Sequence, residues 1–296
     1  MDLYHATCAR RALQSSVDHV IPELWLECAL LGPTLRFESA MSIAIGGAEM
    51  NPKLNGDSVP HNCPLEVNRG DILAMSGASR GVFAYIAFSR RLAMTCELGS
   101  VATLVAAGLG GREGRALVDG DELFFAANDG EPTEPIEPTD APDLVALSES
   151  RLEPYSFELP RSGDSVTLPV RRGPEFEQAR HGRALRNVAK DQQTYLCVEA
   201  SVGSNSSRMA TILTPPSDGD GQVDPVKEAS QTAVEMKSSG VFPGVVQLNH
   251  AGELMVLMRD GPTTGGYPRV AVMEEPATWR LAQCPPNSKI TLELVG

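Results

Sequence analysis

The stretch Gly77-Ala78-Ser79-Arg80-Gly81-Val82-Phe83-Ala84-Tyr85-Ile86-Ala87-Phe88 decides between two architectures. Its first five residues match the G-x-S-x-G pattern of a serine nucleophile elbow, which needs a strand before the serine and a helix after it. The seven residues that follow are aromatic, β-branched or small, so they predict a strand, with residues 77–81 as the turn leading into it. Ser79 is then a turn residue, and the chain is read as mainly β.

Short apolar or alternating runs separated by turn residues recur on both sides of this stretch. They fall at residues 35–37, 41–45, 71–75 and 122–126, and again at 155–159, 166–170, 194–200, 241–248, 253–258, 269–273 and 289–295. Each run predicts a strand. Helix is expected only at residues 175–187 and 225–234. Gly-Asp pairs stand at Gly70-Asp71, Gly120-Asp121 and Gly163-Asp164. A glycine that accepts positive φ, followed by a carboxylate that bonds the turn backbone, marks a turn before a strand and not a catalytic acid.

The chain has 296 residues, enough for two domains, with 42% hydrophobic and only 5% aromatic residues. Its 27 Gly and 22 Pro suit many short elements joined by turns and argue against a long helical bundle. The net charge of -13 opposes non-specific attraction to nucleic acid or anionic lipid. Ten acids and no Lys or Arg lie between Ala116 and Ser150. Within that run Pro132, Pro135, Pro138 and Pro142 alternate with acids, so residues 128–150 are read as an extended linker. It separates a first β-domain, residues 1–127, from a second, residues 151–296.

Six cysteines without a close pair fit reduced thiols and a cytoplasmic location. No apolar run is long enough to cross a membrane, and no membrane or nucleic-acid partner is expected. The loop Gly108-Leu109-Gly110-Gly111-Arg112-Glu113-Gly114 has Glu113 where a dinucleotide fingerprint needs its third glycine. The five histidines lack metal-ligand spacing, so no metal site is expected.

The segment Asp260-Gly261-Pro262-Thr263-Thr264-Gly265-Gly266-Tyr267-Pro268 is different. Two hydroxyls beside two glycines place side-chain donors next to unshielded main-chain N–H groups, a composition suited to an anion or a polarised carbonyl. A tight turn with threonine caps has the same composition.

Taken together with Ser238-Ser239-Gly240, Gly244, Gln247 and Leu257-Met258, this segment resembles the biotin-dependent carboxyltransferase group, also called the allophanate hydrolase subunit 2 family. Its members include the C component of bacterial ATP-dependent 5-oxoprolinases. Leu98-Gly99-Ser100, Gly110-Gly111, Gly114-Arg115-Ala116-Leu117, Gly120-Asp121 and Ser206-Ser207-Arg208-Met209 fall in the family's order as well. The resemblance implies two cyclophilin-like β-barrel domains with few short helices. It implies an N-terminally shortened first barrel, since residues 1–22 carry neither the Gln-Asp-x-Gly-Arg segment nor the Gly-rich loop usual there. Val101-Ala102 and Pro262 also depart from the family pattern.

The activity implied is ATP-dependent opening of the 5-oxoproline lactam to L-glutamate, with ATP, alone or with Mg, as cosubstrate. The partners implied are proteins like the B and A components of such a 5-oxoprolinase. Arg115, Arg208 and Asp260 are the candidate catalytic residues, the arginines as forked charge clamps and Asp260 as base or metal contact. Thr263, Thr264, Gly265 and Gly266 would line the anion pocket, Tyr267 would wall it, and Asn205 and Gln247 would orient an amide. Two alternatives stand beside this reading. One is biotin-dependent carboxyl transfer to urea or a related amide, with biotin carried on another protein because Met236-Lys237-Ser238 is only a partial biotin-acceptor motif. The other is a non-catalytic regulatory subunit that binds a partner protein.

Overall fold

The structure is a computed structural model that describes residues 25–94, 97, 100–125, 158–177, 195–216 and 236–296. The chain divides into two compact units. Among the described residues one unit holds residues 78–83 and everything from 158 onward, and the other holds the remainder of 25–125. The linker read at residues 128–150 and the helix read at 225–234 lie outside the described residues. So does most of the helix read at 175–187.

The unit containing the C-terminus is a closed barrel of seven strands. These are β9 (Ser165–Arg172), β10 (Tyr195–Val202), β11 (Ala210–Thr214), β13 (Val245–Leu248), β14 (Leu254–Leu257), β16 (Arg269–Met273) and β17 (Lys289–Leu294), in the order β10-β11-β14-β13-β16-β9-β17. In β9 every second residue, Val166, Leu168 and Val170, is buried, the alternation a half-buried strand requires. Its parallel partner β17 presents Ile290 and Leu292 to the same core, both fully buried, and burial is worth about 1.5–3 kcal/mol for each such side chain. Two short strands, β12 (Ser239–Gly240) and β15 (Thr264–Gly265), form a separate antiparallel ribbon in this unit.

The one complete α-helix among the described residues, α1 (Glu275–Ala282), lies outside both sequence-predicted helices. Pro276 reads as a breaker, yet it stands in the first turn, where its missing N–H costs nothing. Just beyond α1, Gln283 is fully buried and acts as a clamp. Its Oε1 accepts the N–H groups of Val82 (2.7 Å) and Phe83 (3.0 Å), and its Nε2 donates to Phe83 O (2.8 Å). A buried amide with both ends satisfied fixes Val82 and Phe83, near the start of a strand some 200 residues earlier in the chain.

That strand, β8 (Arg80–Phe88), realises the reading of residues 82–88. It begins immediately after Ser79, so a strand and not a helix follows the serine, and the nucleophile-elbow geometry does not form. Residues 84–88 of β8 belong to the other unit, and the strand pairs in a four-stranded sheet with β1 (Trp25–Ala29), β3 (Met41–Glu49) and β6 (Leu65–Val67), in the order β1-β8-β3-β6. Residues 41–48 of β3 are buried without alternation, the pattern of a strand covered on both faces. A second sheet runs β2 (Thr34–Arg36), β7 (Ile72–Ala74), β4 (Lys53–Leu54), β5 (Asp57–Ser58). Mainly β architecture is thus what the chain adopts. Residues 122–125 are irregular and hold only a bridge from Phe125 to Leu92, so the strand read at 122–126 is absent over its described part.

The Gly-Asp pairs at residues 70–71, 120–121 and 163–164 all behave as turns. Gly70, Gly120 and Gly163 have φ of 93°, 88° and 89°. The carboxylates of Asp71, Asp121 and Asp164 each accept the N–H of the residue three positions earlier, Asn68, Val118 and Arg161.

Candidate functional site

In the barrel unit, residues 257–269 run from the end of β14 to the start of β16 and are laced to their neighbours on both sides. Met258 N–H reaches Met209 O (2.9 Å) and Asp260 N–H reaches Arg208 O (3.0 Å). Further along, Thr263 O accepts Val241 N–H (2.9 Å) and Pro268 O accepts Leu248 N–H (3.0 Å). Arg208 and Gln247 thus stand beside the run that carries Asp260 and the Thr263–Tyr267 segment.

The ribbon pairs Ser239 with Gly265 and Gly240 with Thr264. Because Val241 N–H bonds Thr263 O, the Val241/Thr263 and Ser239/Gly265 positions are the hydrogen-bonded ones, and Gly240/Thr264 is the position between them. In an antiparallel pair the N–H and C=O of such a residue point away from the partner strand. Thr264 therefore directs its amide N–H to the outer edge of β15, where no third strand of the described residues pairs with it. Thr263, Thr264 and Gly266 are exposed, so the two hydroxyls, the outward amide and the bare main chain at Gly266 are all open to solvent.

The two glycines differ. Neither has a positive φ, so neither is demanded by backbone conformation. A Cβ on Gly265 would stand 2.7 Å from Nε2 of Gln247, whereas a Cβ on Gly266 would meet nothing closer than 3.9 Å. Gln247, 2% exposed, fills the space a side chain at 265 would need and donates from Nε2 to Tyr267 O (3.2 Å). It thus supports the loop from beneath. Tyr267 is half-buried, its ring set edge-on against His250 at 5.2 Å.

Arg208 grips Asp260 through two bonds, Nε to Oδ2 at 2.7 Å and Nη2 to Oδ1 at 3.1 Å. The fork expected to meet a substrate anion is thus engaged by a carboxylate, and so are the Asp260 oxygens offered as base or metal contact. Asn205 is exposed on the turn between β10 and β11. Arg115 belongs to the other unit. Its guanidinium forks onto Asp121 (2.7 and 3.0 Å) and also reaches Glu113 (3.2 Å). Arg112 Nε adds a third bond to Asp121 (2.9 Å). These donors hold the Asp121 carboxyl well below its ordinary range, and the hydrogen bond to Asp121 raises Arg115.

One pair beside the loop is invisible to sequence reasoning. Arg269 donates to Glu175 from its main-chain N (3.0 Å), Nε (2.9 Å) and Nη2 (2.7 Å), and its Nη1 reaches Gly240 O (3.0 Å). These bonds pull the Glu175 carboxyl below its usual value. A separation of 94 residues leaves no local spacing signal for the pair. Among the described residues no three His, Cys, Asp or Glu side chains gather as a metal site, and no helix is long and apolar enough to span a membrane.

The family described as carboxyltransferase domain, subdomain A and B, matches residues 1–294, and the chain belongs to it. It is 30% identical over 261 residues to the C component of the 5-oxoprolinase of Escherichia coli, covering 88% of this chain and 71% of that one. It is 26% identical over 298 residues to the urea amidolyase of Saccharomyces cerevisiae, covering 98% of this chain but 15% of that protein. The crystal structure of the K. lactis urea amidolyase superposes with a TM-score of 0.73 at 25% identity, over 100% of this chain and 16% of the other. The chain therefore spans a small part of the urea amidolyases and most of the 5-oxoprolinase component.

Proposed function

We propose that the chain is a subunit of an ATP-dependent 5-oxoprolinase, which opens the 5-oxoproline lactam to L-glutamate together with partner subunits. The observation that carries this reading is coverage: the alignment takes in 71% of the C component of the E. coli 5-oxoprolinase, as expected of proteins of the same kind, against 15% of the yeast urea amidolyase.

A lactam resists water because its nitrogen lone pair is delocalised into the carbonyl. Attack at that carbon moves charge onto oxygen, and donors fixed in advance around the oxygen lower the barrier without reorganising. In this reading the outward amide of Thr264, the hydroxyls of Thr263 and Thr264, and the exposed main chain at Gly266 surround it. Gln247 keeps the loop at a fixed height, and Tyr267 walls one side.

ATP supplies the activation of the lactam oxygen, and its phosphates need several cations or N–H groups at once. Among the described residues Arg208 and Arg269 are each forked onto a carboxylate, and the donors of the loop fit one oxygen better than a triphosphate. We therefore assign ATP, with any Mg, to a partner of the B or A type, and we route no step through it in this chain.

The test is reconstitution with the partner components, following ADP and glutamate release from 5-oxoproline with the native chain, Thr264→Ala and Arg208→Ala. Loss of turnover in Thr264→Ala is the expected result. A second reading, carboxyl transfer from carboxybiotin to urea or a related amide, draws on the superposition of the whole chain on a 16% part of the K. lactis enzyme. It needs the same oxygen-binding loop and predicts urea-dependent decarboxylation of carboxybiotin instead.

A further inference from the structure

The ribbon β12/β15 has two outer edges that are treated differently. Thr264 faces outward on the β15 edge, the surface assigned above to the substrate oxygen. On the β12 edge Gly240 also faces outward, and its C=O is taken by Arg269 Nη1 at 3.0 Å. Arg269 is not free to swing, because Glu175 holds its Nε and Nη2 in a fork and accepts its main-chain N–H as well. Both side chains are largely buried, 22% exposed for Arg269 and 12% for Glu175. Gly240 has no side chain of its own to pack, and a Cβ placed there would meet nothing within 4 Å. Its hydrogen bonds must therefore set its position.

We propose that Glu175 and Arg269 are positioning residues, a brace that fixes Gly240 and through the ribbon register aims the Thr264 amide at the reacting oxygen. The proposal rests on the reading that this edge binds the substrate oxygen. The brace does not touch substrate. Arg269 carries the contact to the ribbon, and Glu175 sets the angle from which it is made. A lysine at 269 keeps the charge but lacks the planar fork whose separate nitrogens serve Glu175 and Gly240 O at once.

The experiment uses the full chain and its reconstituted complex, with Arg269→Lys, Arg269→Met and Glu175→Gln. Amide hydrogen exchange on the chain alone reads the brace directly. Losing a charge-assisted bond of this kind raises local exchange about tenfold or more. The expected rise is at residues 239–241 and 263–266, with amides of β9 and β17 unchanged as a check that the barrel is intact. In the complex, 5-oxoproline turnover falls mainly in kcat, by about tenfold, with KM little changed, as befits a donor misplaced for the transition state. Unchanged exchange at 239–241 and 263–266 in both Arg269 variants overturns the brace. Raised exchange with an unchanged kcat in an active complex overturns its role in catalysis. Raised exchange in a chain whose native complex has no activity on 5-oxoproline leaves the brace standing and removes the substrate reading, so the two failures are distinct.

Discussion

The amide of Gln247 occupies the space a side chain at Gly265 would need: a Cβ there would sit 2.7 Å from Nε2, closer than such atoms approach. The same Nε2 bonds Tyr267 O two residues on, so the loop and the buried amide fix one another. Gly265→Ala must push the loop outward or displace Gln247. Overpacking of this kind costs about 1–3 kcal/mol, and the displaced loop loses its aim. Thermal unfolding should show the loss for Gly265→Ala, while Gly266→Ala, where the space is open, stays within about 0.5 kcal/mol of the native chain. Equal melting temperatures for the two variants would contradict the packing described.

Arg208 and Asp260 form a forked pair with Arg208 about a third exposed, so solvent screens part of their attraction. A double-mutant cycle with Arg208→Ala and Asp260→Ala should give a coupling of about 1 kcal/mol in urea unfolding. A coupling near zero would mean that the fork is open in solution and that Arg208 is available as a clamp after all.

The pH dependence of stability has a definite sign at Glu175. Its folded value is depressed by the bonds from Arg269, with Arg172 and Glu177 the other charged residues of the same turn. The stabilisation is complete above the unfolded value of about 4.3 and is lost as pH falls through the folded value. Urea unfolding between pH 7 and pH 3 should therefore find Glu175→Gln less stable than the native chain at pH 7, with the gap closing on acidification. A gap independent of pH would rule out the ionised pair. Asp121, depressed by Arg115 and Arg112, should give the same direction through Asp121→Asn.

Thiol chemistry separates the four described cysteines. Burial pushes Cys28, Cys197 and Cys284 up to about 12, so at pH 8 they are protonated as well as covered, while Cys63 is exposed. Brief alkylation with iodoacetamide followed by peptide mapping should modify Cys63 and spare the other three until the chain is unfolded. Early modification of Cys197 or Cys284 would contradict the closed barrel core.

Much of the fold is legible because the barrel strands carry their own signal. Val166, Leu168 and Val170 alternate, residues 82–88 are strand-forming throughout, and the Gly-Asp turns announce themselves locally. Helix α1 is hidden because Pro276 signals a break unless the first-turn position is known. The irregular course of 122–125 is hidden for another reason: Phe124 is exposed, and Phe125 packs against Phe88 without joining a sheet. At the site, the Thr-Thr-Gly-Gly composition marks out the exposed segment with its outward amide. What spacing cannot reveal is who is already paired. Asp260 and Arg208 are 52 residues apart and Glu175 and Arg269 are 94 apart, and only the barrel brings them together.

The most direct test of the central claim is ATP-dependent glutamate release from 5-oxoproline by the reconstituted subunits, compared between the native chain and Thr264→Ala. Turnover should require this chain and fall about tenfold or more when the hydroxyl beside the outward amide is removed. Turnover unchanged by Thr264→Ala and Gly265→Ala alike, or release that proceeds equally well without this chain, would contradict it.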